Sequence, residues 1–345
     1  MTLIYFILIL GIIVLVHEFG HFIFAKMFGV HVYEFSIGMG PKIWGSKPKK
    51  GGTVYNIRAI PIGGYVQLAG EEVDDDEKIP KNEKLYNKPI WQRFLIMFFG
   101  AGNNFILALI LLFLIGLFSG SPNMSPVVTR VEEGYPMAEA GIQKDDIIVS
   151  IDGKKVSTID DVKIYMVLAS NGDETSFVVK RDSEEIEYKI TPIKEEVDGV
   201  TSYKFGIVFE QEIEYGFINA IKYAFIKIGA LVKQMFIVLG ALFTGNLGLN
   251  TLSGPIGIYS VVGETASTGF ANLISLIALL SVNVGFLNLI PFPAFDGGRI
   301  LFLIIEKIKG SPVSPKVENM IHSIGFLLLL LLLVYITFND IIKLF

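Results

Sequence analysis

The sequence predicts a polytopic α-helical membrane protein with four transmembrane helices, a membrane-associated β-hairpin in one loop and a soluble α+β domain in another. Three observations predict it. The 345 residues are 52% hydrophobic and 18% charged, with mean hydropathy +0.55, well outside the range of ordinary soluble domains. Apolar runs near the length that crosses a ~30 Å hydrocarbon layer recur along the chain. Between residues 125 and 193 the composition returns to that of a soluble domain. A net charge of −5 with no basic stripe argues against nucleic acid as a partner, and the absence of cysteine rules out disulfides and thiolate-held metal.

The first span covers 1–25. It lacks the basic start and small-residue cleavage site of a signal peptide, so it is expected to stay in the membrane. Within it stands His17-Glu18-Phe19-Gly20-His21. On a helix His17 and His21 lie one above the other, so their ring nitrogens can converge on one Zn²⁺ while Glu18 reaches a water on that metal. Buried, hydrogen-bonded histidines are the plainer alternative, but ionisable groups inside a span are functional by default.

Residues 26–93 form a loop in which 53–68 alternates loosely and reads as the β-hairpin. The second span is 94–118. Lysines 78, 81, 84 and 88 and Arg93 precede it, and only Arg130 closely follows, so its start is cytoplasmic. The first span then runs inward and the soluble domain, 125–193, lies outside. Residues 194–270 read as a linker carrying one amphipathic helix, 216–243, interrupted by Lys222, Lys227 and Lys233; those amines suit snorkelling at a lipid interface, so this helix is expected to be interfacial or re-entrant. The third span, 271–305, is broken by Pro291 and Pro293. The loop 306–319, with three lysines, is cytoplasmic, and the fourth span is 320–338.

A catalytic zinc needs a third protein ligand. Asp296 is the best candidate, because the prolines open its helix and Gly297-Gly298 let the chain turn after the acid. Broken backbone at that depth is tolerated only where protein or a water-filled cavity satisfies it. At 1.5 Å per residue the break lies roughly 24 Å from the third span's outer end and His17 roughly 21 Å from that of the first. An ordinary Asp-Gly turn is the alternative reading.

H-E-x-x-H in a first span plus N-x-x-P-x-P-x-x-D-G, from Asn288 to Gly297, resembles the site-2 protease family of intramembrane zinc metalloproteases, bacterial type with a single PDZ domain. Gly63-Gly64-Tyr65-Val66, Asn104-Phe105 and Ser253-Gly254-Pro255-Ile256-Gly257 resemble that family too. Two departures, no proline in Gly100-Ala101-Gly102-Asn103-Asn104-Phe105 and Phe295 before the aspartate, remove neither a ligand nor a base. The resemblance implies zinc ligation by His17, His21 and Asp296 and general-base catalysis by Glu18; an exposed edge of the 53–68 hairpin could pair with an opened substrate, with Asn288, Gly63, Gly64 and Tyr65 as the expected contacts. The resemblance also implies single-span transmembrane substrates cut within the bilayer of a bacterial inner membrane, with the site towards the cytoplasmic half. Residues 134–142, followed by Asp145-Asp146 and Ile151-Asp152-Gly153, resemble bacterial protease PDZ domains, whose groove accepts a peptide or ectodomain remnant. A zinc carrier or sensor with no proteolytic activity is the competing function. His31 and His322 show no partner pattern, Asn103 and Asn104 are equally interhelical bonds or substrate contacts, and 71–78 reads as a solvated acidic loop.

Overall fold

The computed structural model describes residues 1–46, 52–71, 78–169, 172–197 and 200–343. They form two compact units, Met1–Leu111 with Asn250–Phe345, and Leu112–Leu249.

The first unit contains α1 (Thr2–Met27), strands β1 (Val32–Gly45) and β2 (Val54–Leu68), and most of α2 (Ile90–Phe118). The second contains the end of α2, β3 (Ser121–Pro122), β4 (Arg130–Val131), α3 (Pro136–Glu139), β5 (Ile147–Ile151), β6 (Lys154–Lys155), α4 (Ile159–Leu168), β7 (Thr175–Arg181) and β8 (Glu184–Ile190). It continues through β9 (Ile193–Val197), β10 (Val200–Lys204), β11 (Ile207–Val208), β12 (Ile213–Glu214) and α5 (Phe217–Thr244). The chain returns to the first unit with α6 (Pro255–Ser267), α7 (Phe270–Leu289), α8 (Asp296–Lys309) and α9 (Pro315–Ile342). Among the described residues α1, α2, α5, α7 and α9 are long and apolar enough to cross a membrane.

In the first unit Ile9 and Ile13 of α1 pack with Val262 of α6 and Leu273 and Leu276 of α7. Lower on α1, Ala25 joins Val32, Leu68, Ile96 and Met97, which ties the strands and α2 to the same helix. Asp340 of α9 accepts the backbone N–H groups of Gly254 and Gly257 at 2.9 Å each. It thereby satisfies donors that the start of α6 leaves open, which gives the Ser253–Gly257 motif a structural role.

The hairpin differs from the sequence reading. Residues 53–68 do not pair with themselves; β2 pairs with β1, whose Gly38, Gly40 and Pro41 obscure its alternation. Both strands are long and bent. Residues 34–37 have partners on two sides, Gln67 to Gly64 and Val54 to Ile57, while Trp44 and Gly45 take Ile57 and Asn56. The run 64–68 therefore lies at an edge.

The second unit centres on the sheet β6-β5-β7-β8. Met137, Ile148, Val162, Phe177, Val179 and Phe205 are fully buried in its core. Phe205 lies beyond the expected boundary at residue 193, with its ring 5.2 Å from that of Phe177. The domain therefore continues past the linker start set by composition: Phe205 is buried in its core, and Ile207 and Phe209 pack against it. By sequence, residues 157–170 read as a helix; the structure has one at Ile159–Leu168, and Ser170 lies outside the described residues.

Two further expectations change. Lys227 and Lys233 are not simply snorkelling amines, since they pair with Asp160 at 2.5 Å and Asp161 at 2.9 Å in the first turn of α4. The run read as one broken span, 271–305, is two helices separated at the prolines; of these α7 alone is long and apolar enough to cross a membrane, and α8 carries Arg299, Glu306, Lys307 and Lys309 among its apolar residues.

Candidate metal centre

His17 and His21 lie one turn apart on α1, with ring centroids 4.9 Å apart and planes near perpendicular. Asp296 is the first residue of α8, immediately after the non-helical stretch that follows Leu289. The fold brings the three together. His17 Nε2 and His21 Nε2 are 3.3 Å apart, and each lies 3.3 Å from Asp296 Oδ2.

This equilateral triangle tests the fit of a metal. Tetrahedral bonds of about 2.0–2.1 Å require donor atoms roughly 3.3 Å apart, so two imidazole nitrogens and one carboxylate oxygen at these separations suit Zn²⁺. Among the described residues Asp296 Oδ2 is a buried atom without a hydrogen-bond partner, a costly state for an acceptor whose other use is ligation. His21 Nδ1 lies 2.8 Å from the Ile96 carbonyl. Donation there assigns the proton to Nδ1 and leaves the Nε2 lone pair directed at the site.

Close backbone approach makes the arrangement possible. A Cβ on Gly20 would fall 1.9 Å from the Phe99 carbonyl oxygen, and one on Gly100 would fall 2.3 Å from His21 Nε2 and 3.0 Å from Asp296 Oδ2. Alpha 2 thus leans on the metal-facing side of α1 only because both positions lack side chains.

A cavity of about 320 Å³ opens onto the triangle, and Glu18, Tyr65, Asn288 and Arg299 are among its walls. Glu18 is beside the two histidines, where a general base is needed. Tyr65 is on the edge run of β2, and its hydroxyl lies 2.7 Å from Glu34, which also pairs with Arg58 at 2.6 Å. Burial pushes the Glu34 pKa up, but hydrogen bonds from Asn56, Tyr65 and Arg58 outweigh it and hold the carboxyl below its ordinary range. Asn288 Nδ2 donates to Val284 O at 3.0 Å, leaving its carbonyl oxygen for other partners. Gly64 abuts Glu18, whereas Gly63 packs near Met39 and is not part of the cavity wall.

Sequence reasoning missed Arg299 and Glu71. They form an ion pair and stand, with Met97, in the walls of both this cavity and a neighbouring one of about 380 Å³. Glu71 is therefore not a solvated loop acid; 72–77 lie outside the described residues. The available signal was Arg299 at i+3 from Asp296, which puts both on one helix face.

Comparison with known proteins places this geometry in context. The model of peptidase family M50 matches residues 5–332. The chain belongs to peptidase family M50. A putative zinc metalloprotease of Clostridium perfringens is 38% identical over 99% of both chains. The regulator of sigma-W protease RasP of Bacillus subtilis is 32% identical over 100% of this chain and 99% of its own. The zinc metalloprotease RasP of Oceanobacillus iheyensis is 30% identical, with the same coverage. This M50 member is an intramembrane zinc metalloprotease with several long apolar helices, and membership favours peptide hydrolysis over the metal-carrier alternative.

Proposed function

We propose that His17, His21 and Asp296 hold the Zn²⁺ of this protease, that Glu18 is its general base, and that it cuts within or near the transmembrane helices of single-span proteins. The 3.3 Å triangle of donors beside Glu18 carries this reading. The metal, when bound, would supply a water of lowered pKa and polarise the scissile carbonyl. Glu18 takes the proton of the attacking water and returns it to the leaving amine.

An α-helical substrate must unwind before its carbonyls can be attacked. The run Gly64–Leu68 pairs with β1 on one side only among the described residues, so an opened substrate adds to it as a strand, with Tyr65 and Asn288 contacting it. The name of the Bacillus relative supports anti-sigma-factor substrates; leftover signal peptides share the required single span.

The second unit's domain is read as PDZ-like and extracytoplasmic in a bacterial inner membrane, where it excludes substrates with bulky ectodomains. The pairing of Lys227 and Lys233 with α4 supports four spans, since it holds the middle of α5 against a soluble domain rather than in hydrocarbon. The naturally cysteine-free chain permits a direct check. Single cysteines at Asp182 and Ser314 label from opposite membrane sides under four spans and from one side if α5 crosses.

The catalytic reading is tested by metal analysis and by cleavage of single-span substrates with purified protein. Zinc chelation abolishes activity and added zinc restores it, whereas Glu18→Gln keeps zinc and loses cleavage. Activity untouched by chelators removes the metal mechanism.

A further inference from the structure

Asp296 is aimed by a stretch of chain that is itself strained. Ala294, two residues earlier, has φ +85°, a left-handed conformation that an L-residue resists because its Cβ crowds the backbone. The turn has some internal support: Phe292 N–H donates to Ile290 O at 2.7 Å and Phe295 N–H to Phe292 O at 3.2 Å. The Ala294 N–H itself turns outward and donates to Nδ1 of His322, on α9, at 3.0 Å.

Alpha 9 touches this turn at a second point on the same face. Gly325 is at i+3 from His322, and a Cβ there would lie 2.4 Å from Pro293 Cβ and 2.5 Å from Pro293 O. The helix therefore seats directly on residues 293–294. His322 must be neutral with its proton on Nε2 to accept at Nδ1. Its Nε2 is buried without a hydrogen-bond partner among the described residues, so the bond to Ala294 is the ring's polar contact.

We propose that His322 is a positioning residue of the metal centre: by accepting from Ala294 it holds the left-handed backbone that directs Asp296 towards His17 and His21. The inference rests on reading Asp296 as a ligand. Without the acceptor, residue 294 relaxes towards the extended region and Asp296 leaves the 3.3 Å triangle.

The test uses full-length detergent-solubilised protein, with zinc affinity from chelator competition, the visible spectrum of the Co²⁺-substituted enzyme, and melting of the metal-free form. His322→Leu weakens zinc binding roughly 10- to 100-fold, the usual cost of losing support behind a ligand, and alters the Co²⁺ spectrum while metal-free melting stays near that of the parent. His322→Asn, whose Oδ1 replaces Nδ1, restores affinity. The penalty of His322→Leu shrinks in an Ala294→Gly background, because glycine adopts the left-handed conformation unaided. If His322→Leu fails to fold, His322→Gln, which displaces the acceptor by one bond, replaces it with the same expectation. Parent-like affinity and spectrum in the substituted protein, or equal losses for Asn and Leu, overturn the proposal. Asp296→Asn separates the two readings: retained zinc there defeats the ligand assignment, whereas lost zinc beside an unaffected His322→Leu defeats the positioning role alone.

Discussion

Asp146, in the second unit, is buried and Asp296, in the first, is largely so, with its side chain 15% exposed, and their surroundings are opposite. Asp146 receives Arg181 Nε at 2.7 Å, Arg181 Nη2 at 2.6 Å and the Gln143 N–H at 2.9 Å. Its side chain is 1% exposed, and it is closed upon itself. Asp296 faces two imidazole nitrogens at 3.3 Å, with Oδ2 lacking a hydrogen-bond partner among the described residues. One carboxylate completes a structure; the other is the one proposed here as a metal ligand. Burial alone does not separate scaffold from site, but the identity of the partners does.

Substitutions can break this contrast. The largest effect expected is on catalysis: Glu18→Gln lowers cleavage of a single-span substrate roughly 10³-fold with zinc content unchanged in metal analysis. The matched changes Asp296→Asn and Asp146→Asn then separate. The first releases zinc with little change in metal-free melting. The second retains zinc but lowers the denaturant midpoint of the second unit, since it leaves Arg181 without its charged partner. Equal effects of the two on both readouts would erase the comparison.

Acid sharpens it. Burial raises the Asp146 pKa, but Arg181 and the Gln143 amide outweigh burial and hold it below the ordinary 3.8. The folded value lies below the unfolded one, so the pair's contribution is fully present above about pH 4 and is lost as pH falls through the folded value. Melting of the parent therefore drops below about pH 4 more steeply than that of Asp146→Asn. The smallest effect is Thr158→Ala, which removes the side chain that accepts the Asp161 N–H at 3.2 Å at the start of α4. It costs about 1 kcal/mol and leaves cleavage unaffected.

Much of the centre was legible because its residues break local rules. Two histidines and an acid in an apolar run, and an aspartate behind two prolines, contradict the solvent around them. Arg299 and Glu71 were harder to read, since their partnership joins α8 to the end of β2 across most of the chain. His322 gave no signal because its partner is a backbone N–H, which every residue but proline carries. Beta 1 was hidden by its own glycines, and the domain's far boundary rested on three scattered apolar residues, Phe205, Ile207 and Phe209. The lysines of α5 show the same limit: a charge on an apolar helix implies a polar neighbour, and only the fold identifies it as α4 rather than lipid headgroups.

The donors proposed to grip the metal come from α1 and from α8. If they do, a nascent chain must be synthesised at least as far as Asp296 before those donors can meet. Translation order thus acts as a safety catch, keeping the half-built enzyme harmless to the membrane proteins around it.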